Sequence, residues 1–326
     1  MINKFKDKKI LVTGGAGFLG SHLTKKLVDF GAKVSVADNL SRGLLTNLTS
    51  VESKIIFFKT DLRLEKNALA VTKDQEIVFN LAAVNTGVNY DIGRTEYMFE
   101  ENLLLQMMPI RAAAINNVNK FVQVSSASIY STSAMEKRVP TKEDDVSGEP
   151  EKSKLGYALA KRMGENLAFW YSQNTKMQTV IARFINAYGT NDNCDDTGHF
   201  IPSIIRKLIH ANKQIEIYGS GLQKRSFIHV EDAVIGLLTL ATSGKNGEPY
   251  NIDPQDEYSI KEVVVEIQKR MQKQDVYLNF NSSLPEGSKR RLLDNRKICK
   301  LGWKPKHTLL QSLSEIINDI IIREMK

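Results

Sequence analysis

Short runs of aliphatic and β-branched residues alternate along the chain with longer stretches whose apolar residues recur at helical spacing. The first pattern predicts buried strands and the second amphipathic helices, and their alternation predicts a parallel sheet with crossover helices. Strands are expected at 9–12, 33–37, 55–59, 77–81, 120–125 and 178–184, and helices at 18–30, 95–116 and 155–171. Residues 141–154 are polar and read as a loop. Beyond residue 186 the pattern loosens, with short strands at 215–218, 249–252 and 276–280 among helices at 201–210, 231–241 and 260–272. This predicts a doubly wound α/β domain over 1–185 and a smaller α+β lobe over 186–326, with some crossing of the chain between them. A cleft is expected where the carboxyl ends of the strands meet the second lobe. Apolar positions at helical spacing over 309–322 predict a terminal helix docked on the protein.

Composition narrows the class. The chain has 326 residues, 42% hydrophobic and 25% charged, enough to bury a sizeable core. Lys and Arg exceed Asp and Glu by 45 to 37, a formal charge of +8, but the lysines are scattered and form no basic run of the nucleic-acid type. Nucleic acid is therefore not expected as a partner. The two cysteines, Cys194 and Cys299, have neither metal-ligand nor disulfide-framework spacing, so no metal is expected. The N-terminal segment runs into a strand without the apolar core of a signal peptide, and no apolar run approaches a membrane span. A cytoplasmic protein that does not use a membrane is the expectation.

The first strand ends in Thr13-Gly14-Gly15-Ala16-Gly17-Phe18-Leu19-Gly20, which places Gly14, Gly17 and Gly20 as G-x-x-G-x-x-G between a strand and a helix. Glycine is needed where a backbone turns sharply and a pyrophosphate approaches it, and the following helix offers free N–H groups and a positive dipole end. Asp38 follows the second strand, 18 residues after Gly20, where a carboxylate can accept hydrogen bonds from an adenosine ribose and repel a 2′-phosphate. NAD is therefore expected over NADP, although Arg42 keeps NADP open. Asn39, Asp61-Leu62 and Leu81-Ala82-Ala83, all at strand ends, are further candidates for the cofactor wall.

Tyr157 and Lys161 are four residues apart, on one face of a helix. An adjacent ammonium should lower the tyrosine pKa toward the working range, so that the phenol can take a hydroxyl proton while hydride leaves the same carbon. The cluster Ser125-Ser126-Ala127-Ser128 ends the fifth strand about thirty residues earlier and can offer a hydroxyl to the reacting oxygen.

In order and spacing, TGGAGFLG, the post-strand Asp38, the NLAA of Asn80–Ala83, the serine cluster and YALAK resemble the extended short-chain dehydrogenase/reductase family, the NAD-dependent epimerases and dehydratases. The resemblance covers nearly the whole chain and implies a Rossmann fold, NAD, a nucleotide-sugar substrate and a homodimer built on helices 95–116 and 155–171. It implies that Ser126, Tyr157 and Lys161 are catalytic. It further implies that Asn186, Arg225 and Arg291 hold the substrate diphosphate, for which guanidinium groups are suited.

Within that family, Ser126-Ala127-Ser128-Ile129-Tyr130 and the segment with Asn102 resemble GDP-mannose 3,5-epimerases and GDP-fucose synthases. The segment Gly198-His199-Phe200-Ile201-Pro202 resembles the fucose-synthase stretch whose histidine works with a cysteine at the ring carbons, which makes His199 and Ser128 candidates. Both departures concern position 128. Dehydratases and decarboxylases of the family carry an acid there, and the two GDP-sugar families carry the cysteine. Serine is far weaker in acid–base work than either, so dehydration, decarboxylation and epimerisation next to a ketone are disfavoured. What remains is an NAD-dependent nucleotide-sugar epimerase acting through transient oxidation, most simply at C4. The alternatives are a net oxidoreductase (a 4-keto-sugar reductase or sugar 4-dehydrogenase) and, further off, a dehydratase or a non-catalytic dinucleotide-binding regulator.

Overall fold

The computed structural model describes residues 2–87, 91, 93–195, 197–284 and 286–325. Strands β1 (Lys9–Thr13), β2 (Lys33–Asp38), β3 (Ile55–Lys59), β4 (Ile77–Asn80), β5 (Lys120–Ser126) and β6 (Gln178–Phe184) follow the apolar runs of the sequence. Between them lie helices α1 (Phe18–Asp29), α2 (Glu65–Thr72), α3 (Thr95–Ile115), α4 (Thr132–Lys137) and α5 (Leu155–Asn174). The remaining strands are β7 (Asn186–Tyr188), β8 (Gln214–Tyr218), β9 (Lys224–His229), β10 (Pro249–Ile252), β11 (Glu257–Ser259), β12 (Tyr277–Asn281) and β13 (Arg290–Arg291). The remaining helices are α6 (Phe200–Ile209), α7 (Val230–Ser243), α8 (Ile260–Arg270), α9 (Arg296–Cys299) and α10 (Leu309–Glu324).

Seven strands form one parallel sheet in the order β10-β6-β5-β4-β1-β2-β3. The chain winds outward from β1 to β3, returns to β4 beside β1, and continues the other way. This is the doubly wound Rossmann arrangement, with its switch point between β1 and β4. Both faces of such a sheet must be covered. Apolar residues of α1 and α7 bury one face, and those of α2, α3 and α5 bury the other.

The second region forms two small sheets, β11-β9-β13 with β7 on β9, and β12-β8, around a separate core of α6, α8 and α10. Strand 249–252, grouped by its position in the sequence with these elements, instead pairs with β6 as the seventh strand of the large sheet, Asn251 opposite Arg183. The stretch 141–154 is more ordered than a polar loop. It contains helical turns at Glu143–Asp145 and Lys152–Lys154, and Thr141 bridges to Leu293.

Helices α3 and α5 pack backbone to backbone where the catalytic candidate sits. A Cβ on Gly156 would lie 2.1 Å from the Thr95 carbonyl oxygen, so the residue before Tyr157 must be glycine for this packing. Among the described residues no helix is long and apolar enough to cross a membrane.

Candidate active site

The switch point opens on a cavity of about 650 Å³, walled by the strand ends of the large sheet and by the second lobe. Gly14 has φ +66°, and a Cβ there would stand 3.0 Å from the Ala82 backbone. A Cβ on Gly20 would stand 2.1 Å from the Gly14 carbonyl oxygen, so these two glycines seat α1 against the turn. Gly17 caps α1 without any side-chain acceptor for the first-turn N–H groups, and Gly17, Phe18 and Leu19 line the cavity wall. Free N–H groups at a helix start beside an open wall fit a pyrophosphate.

Asp38 also lines the cavity, and its carboxylate accepts from the Ala16 and Leu40 N–H groups at 3.0 and 2.9 Å. Burial pushes its pKa up, and those two hydrogen bonds oppose the shift. Asn39, Arg42, Leu62, Leu81, Ala82 and Ala83 share this wall. Two predicted cofactor residues do not line it. Asp61 is turned to Arg63, which itself reaches the cavity, and buried Asn102 clamps the Val84 N–H and carbonyl at 2.9 and 3.0 Å. Asn102 thus fixes the segment after β4 from behind.

Replacing Asp38 with Ala should raise the KM for NAD about tenfold, the scale of a lost charge-assisted hydrogen bond. It should also lower the preference for NAD over NADP; kcat/KM measured with both dinucleotides checks this.

Ser126, Ser128, Tyr157 and Lys161 stand together on the cavity wall beside the glycine turn. The Ser126 hydroxyl lies beside the Tyr157 phenol and favours its charged form. The Ser126 hydroxyl accepts from the Ser128 N–H at 3.1 Å and donates to the Ser128 hydroxyl at 3.2 Å. Lys161 donates to the Val124 carbonyl at 2.8 Å and to Gln106 Oε1 at 3.3 Å, with its Nζ 5.7 Å from the Tyr157 ring centroid.

The electrostatics differ from the expected lowering of the tyrosine pKa. Burial pushes the Tyr157 phenol well above its usual range, and it pushes the Lys161 amine down to about 7. Both groups are enclosed, so losing water penalises both charges, and the Ser126 hydroxyl beside Tyr157 and the Glu165 carboxylate beside Lys161 offset this only in part. A phenolate formed here needs a neighbouring positive charge to offset that loss of water.

His199 is held between Asp192, whose Oδ1 is 2.9 Å from its Nδ1, and Asn85, whose Nδ2 is 3.1 Å from its Nε2. The preceding stretch is fastened over the cavity: Arg42 donates to Thr197 Oγ1 at 2.5 Å, and the Gly87 N–H donates to the Thr197 carbonyl at 2.8 Å. From the second lobe come Asn186, Arg225 and Arg291. Parallel pairing of β7 and β13 with β9 brings them together, and Asn186 Nδ2 donates to the Ser226 carbonyl at 2.9 Å.

The sequence did not single out several residues of this wall. Lys154 pairs with buried Asp91 at 2.7 Å, and its Nζ is 6.0 Å from the Tyr157 ring centroid. Glu151 meets Arg291 at 2.5 Å. Both lie in the stretch read as loop, where no spacing signal marks them. Gln106 and Asn85 contribute through contacts distant in sequence. No group of acids, histidines and cysteines suited to a metal occurs among the described residues.

A doubly wound sheet whose first turn is built for a pyrophosphate belongs to the dinucleotide-dependent α/β enzymes. The family model described as the NAD dependent epimerase/dehydratase family matches residues 10–253, and the chain belongs to that family, whose cofactor is NAD. It is 31% identical over 308 residues to GDP-mannose 3,5-epimerase 1 of Oryza sativa subsp. indica, covering 94% of this chain and 79% of the relative. It is 32% identical over 314 residues to dTDP-D-glucose 4,6-dehydratase of Mus musculus, covering 92% and 84%. Among solved structures, UDP-N-acetylglucosamine 4-epimerase from Methanobrevibacter ruminantium M1 superposes with a TM-score of 0.87 at 26% identity, covering 98% of this chain and 99% of that one. The protein is therefore an enzyme of a family whose members both epimerise and dehydrate.

Proposed function

We propose that this protein epimerises a nucleotide-linked sugar by transient oxidation of a ring hydroxyl, at C4, to a ketone that is then reduced on the other face. The observation that carries this reading is the company Tyr157 keeps. Tyr157, Ser126 and Lys161 share one wall with the dinucleotide turn, while the position that bears an acid in the dehydratases is the serine hydroxyl of Ser128. NAD, when bound, supplies the acceptor and the returning donor of hydride. Tyr157 takes the proton of the sugar hydroxyl during oxidation and gives it back on reduction. Ser126 hydrogen-bonds the reacting oxygen, and Lys161 holds the charge of the phenolate. Asn186, Arg225 and Arg291 grip the diphosphate and leave the sugar to be presented on either face.

The test is incubation with GDP-, UDP- and dTDP-linked hexoses, followed by proton NMR for a second epimer and by nicotinamide absorbance. An epimer appearing with constant absorbance is expected. Steady oxidation or reduction of the nicotinamide would replace this reading by a net reductase or dehydrogenase.

The enzyme is further proposed to be a cytoplasmic homodimer. Two free thiols suit a reducing compartment. Tyr97 and Ile115 on α3 and Met163, Phe169 and Trp170 on α5 are exposed, and the two helices pack side by side. Pairing them with their copies would bury these side chains in a four-helix interface. Light scattering should return twice the 36.7 kDa chain mass, and a monomer would refute the assembly.

A further inference from the structure

The second lobe presents two guanidinium groups to the cavity, and the carboxylates around them are unequally engaged. Arg225 is buried and donates only to backbone, to the Lys224 carbonyl at 2.8 Å and the Glu286 carbonyl at 3.1 Å. Among the described residues no carboxylate lies within ion-pair distance of it. Arg291 has a buried Nε without an acceptor.

Three carboxylates lie near the pair. Glu286 is turned away, accepting from the Ser220 hydroxyl at 2.9 Å and its N–H at 3.2 Å. Glu136 accepts from the Lys289 N–H at 2.9 Å. Glu286 also lines the cavity, but of the three it is Glu151 that meets a guanidinium, with its Oε2 2.5 Å from Arg291 Nη2 and its Oε1 accepting from Ser153 at 2.7 Å. Gly287 marks how close the third group is. A Cβ there would stand 2.6 Å from Glu151 Oε1 and 3.3 Å from Arg225 Nη2. Lys154, also on this wall, is committed to Asp91. One carboxylate thus pairs with one of two neighbouring guanidiniums and leaves the other without an ion-pair partner.

We propose that Glu151 is a built-in competitor for the anion site: its carboxylate stands where a phosphate of a nucleoside diphosphate would, and the ligand must expel it to reach Arg291. This rests on the reading that Arg225 and Arg291 hold the substrate diphosphate. Two guanidiniums match the two negative charges of a sugar diphosphate, so with that group bound a third negative charge in the same enclosure is surplus. The cationic neighbours also hold the Glu151 carboxyl below its usual range, against the effect of its own burial, so the competitor is charged at neutral pH. Glu151 therefore sets affinity: it keeps the two arginines from repelling each other in the free enzyme and weakens nucleotide binding by the interaction that must be broken.

The test compares the full-length NAD-loaded enzyme with Glu151→Gln, Glu151→Ala and Arg225→Gln, using GDP and UDP as probes in titration calorimetry and thermal shift. The expected result is about tenfold tighter binding of the preferred diphosphate by both Glu151 variants, the size of one charge-assisted contact. Their ligand-free Tm should be lower, and their Tm gain on ligand addition larger. Arg225→Gln should bind at least tenfold more weakly than the unaltered enzyme. If Arg225→Gln weakens binding while both Glu151 variants bind as the unaltered enzyme or worse, the competitor role is overturned and the diphosphate site stands. If Arg225→Gln binds like the unaltered enzyme, or neither probe binds any form, the diphosphate reading falls and the competitor role falls with it.

Discussion

Tyr157→Phe should lower kcat by about 10²–10⁴-fold, the range of a lost proton-transfer group, with little change in dinucleotide or nucleotide affinity. The substitution removes one oxygen from a buried residue and leaves its ring, so packing is kept. The hydroxyl it removes lies beside Ser126, and Ser126 keeps its bonds to the Ser128 N–H and hydroxyl. No buried polar group is stranded, and Tm should hold within a degree or two. This separates chemistry from folding: a group that only packs would cost stability and spare turnover. Retention of most of the epimerisation rate by the variant would remove Tyr157 from the reaction and with it the proposed mechanism.

The upward shift of Tyr157 suits one direction of proton transfer more than the other. A neutral phenol is the ready acid when the oxygen must regain its proton. In the oxidising direction the phenolate forms favourably only beside a charged Lys161. The two steps of an epimerisation thus ask opposite things of one side chain: the acid step is served by the neutral phenol that burial favours, and the base step needs the charge of Lys161 beside it.

Much of this site was legible because its signals are local. The glycine turn, Asp38 after β2, and Tyr157 one helical turn from Lys161 each depend on spacing along one element, and the cavity brings them onto one wall. The apolar runs mark the first six strands for the same reason. The rest depends on partners distant in sequence. The four residues Pro249–Ile252 have no pattern that says which sheet they join; hydrogen bonding to β6 decides it. Glu151, Lys154 and Asp91 sit in polar stretches whose meaning appears only when β13 and the segment after β4 close around them. Asp61 and Asn102 show the converse, since a strand-end or helix position does not fix which way a side chain turns. Asp61 finds Arg63 two residues on, and Asn102 finds the Val84 backbone. The Tyr157 shift departs from the expected lowering for a related reason. Spacing reports the neighbouring ammonium but not the depth at which both groups lie.

That depth sets the second large effect. Lys161→Met should cost about 10²-fold or more in kcat, because the phenolate loses its counter-charge. The same change should stabilise the protein near pH 7. The folded-state pKa of Lys161 is depressed from 10.5 to about 7 by burial. Above pH 10.5 the amine is neutral in folded and unfolded chains alike and imposes no penalty. As pH falls toward 7 the unfolded chain gains a proton that the folded one refuses, and stability is lost over that window. The full penalty, reached at and below pH 7, is on the order of 5 kcal/mol. Methionine avoids it at similar length. Against this stand the bonds from Nζ to the Val124 carbonyl and to Gln106, worth about 1–3 kcal/mol together. Gln106 keeps its bond from Gln123, so only the Val124 carbonyl is left without its lysine partner. The balance favours the variant by about 2–4 kcal/mol at pH 7. Thermal melts of both proteins from pH 6.5 to 10.5 should show the gap in Tm narrowing as pH rises, then reversing as the lost hydrogen bonds alone remain. A variant less stable than the unaltered enzyme at pH 7, or a gap that does not change with pH, would mean that Lys161 keeps its charge at no cost, and that this lysine is not held under tension for catalysis.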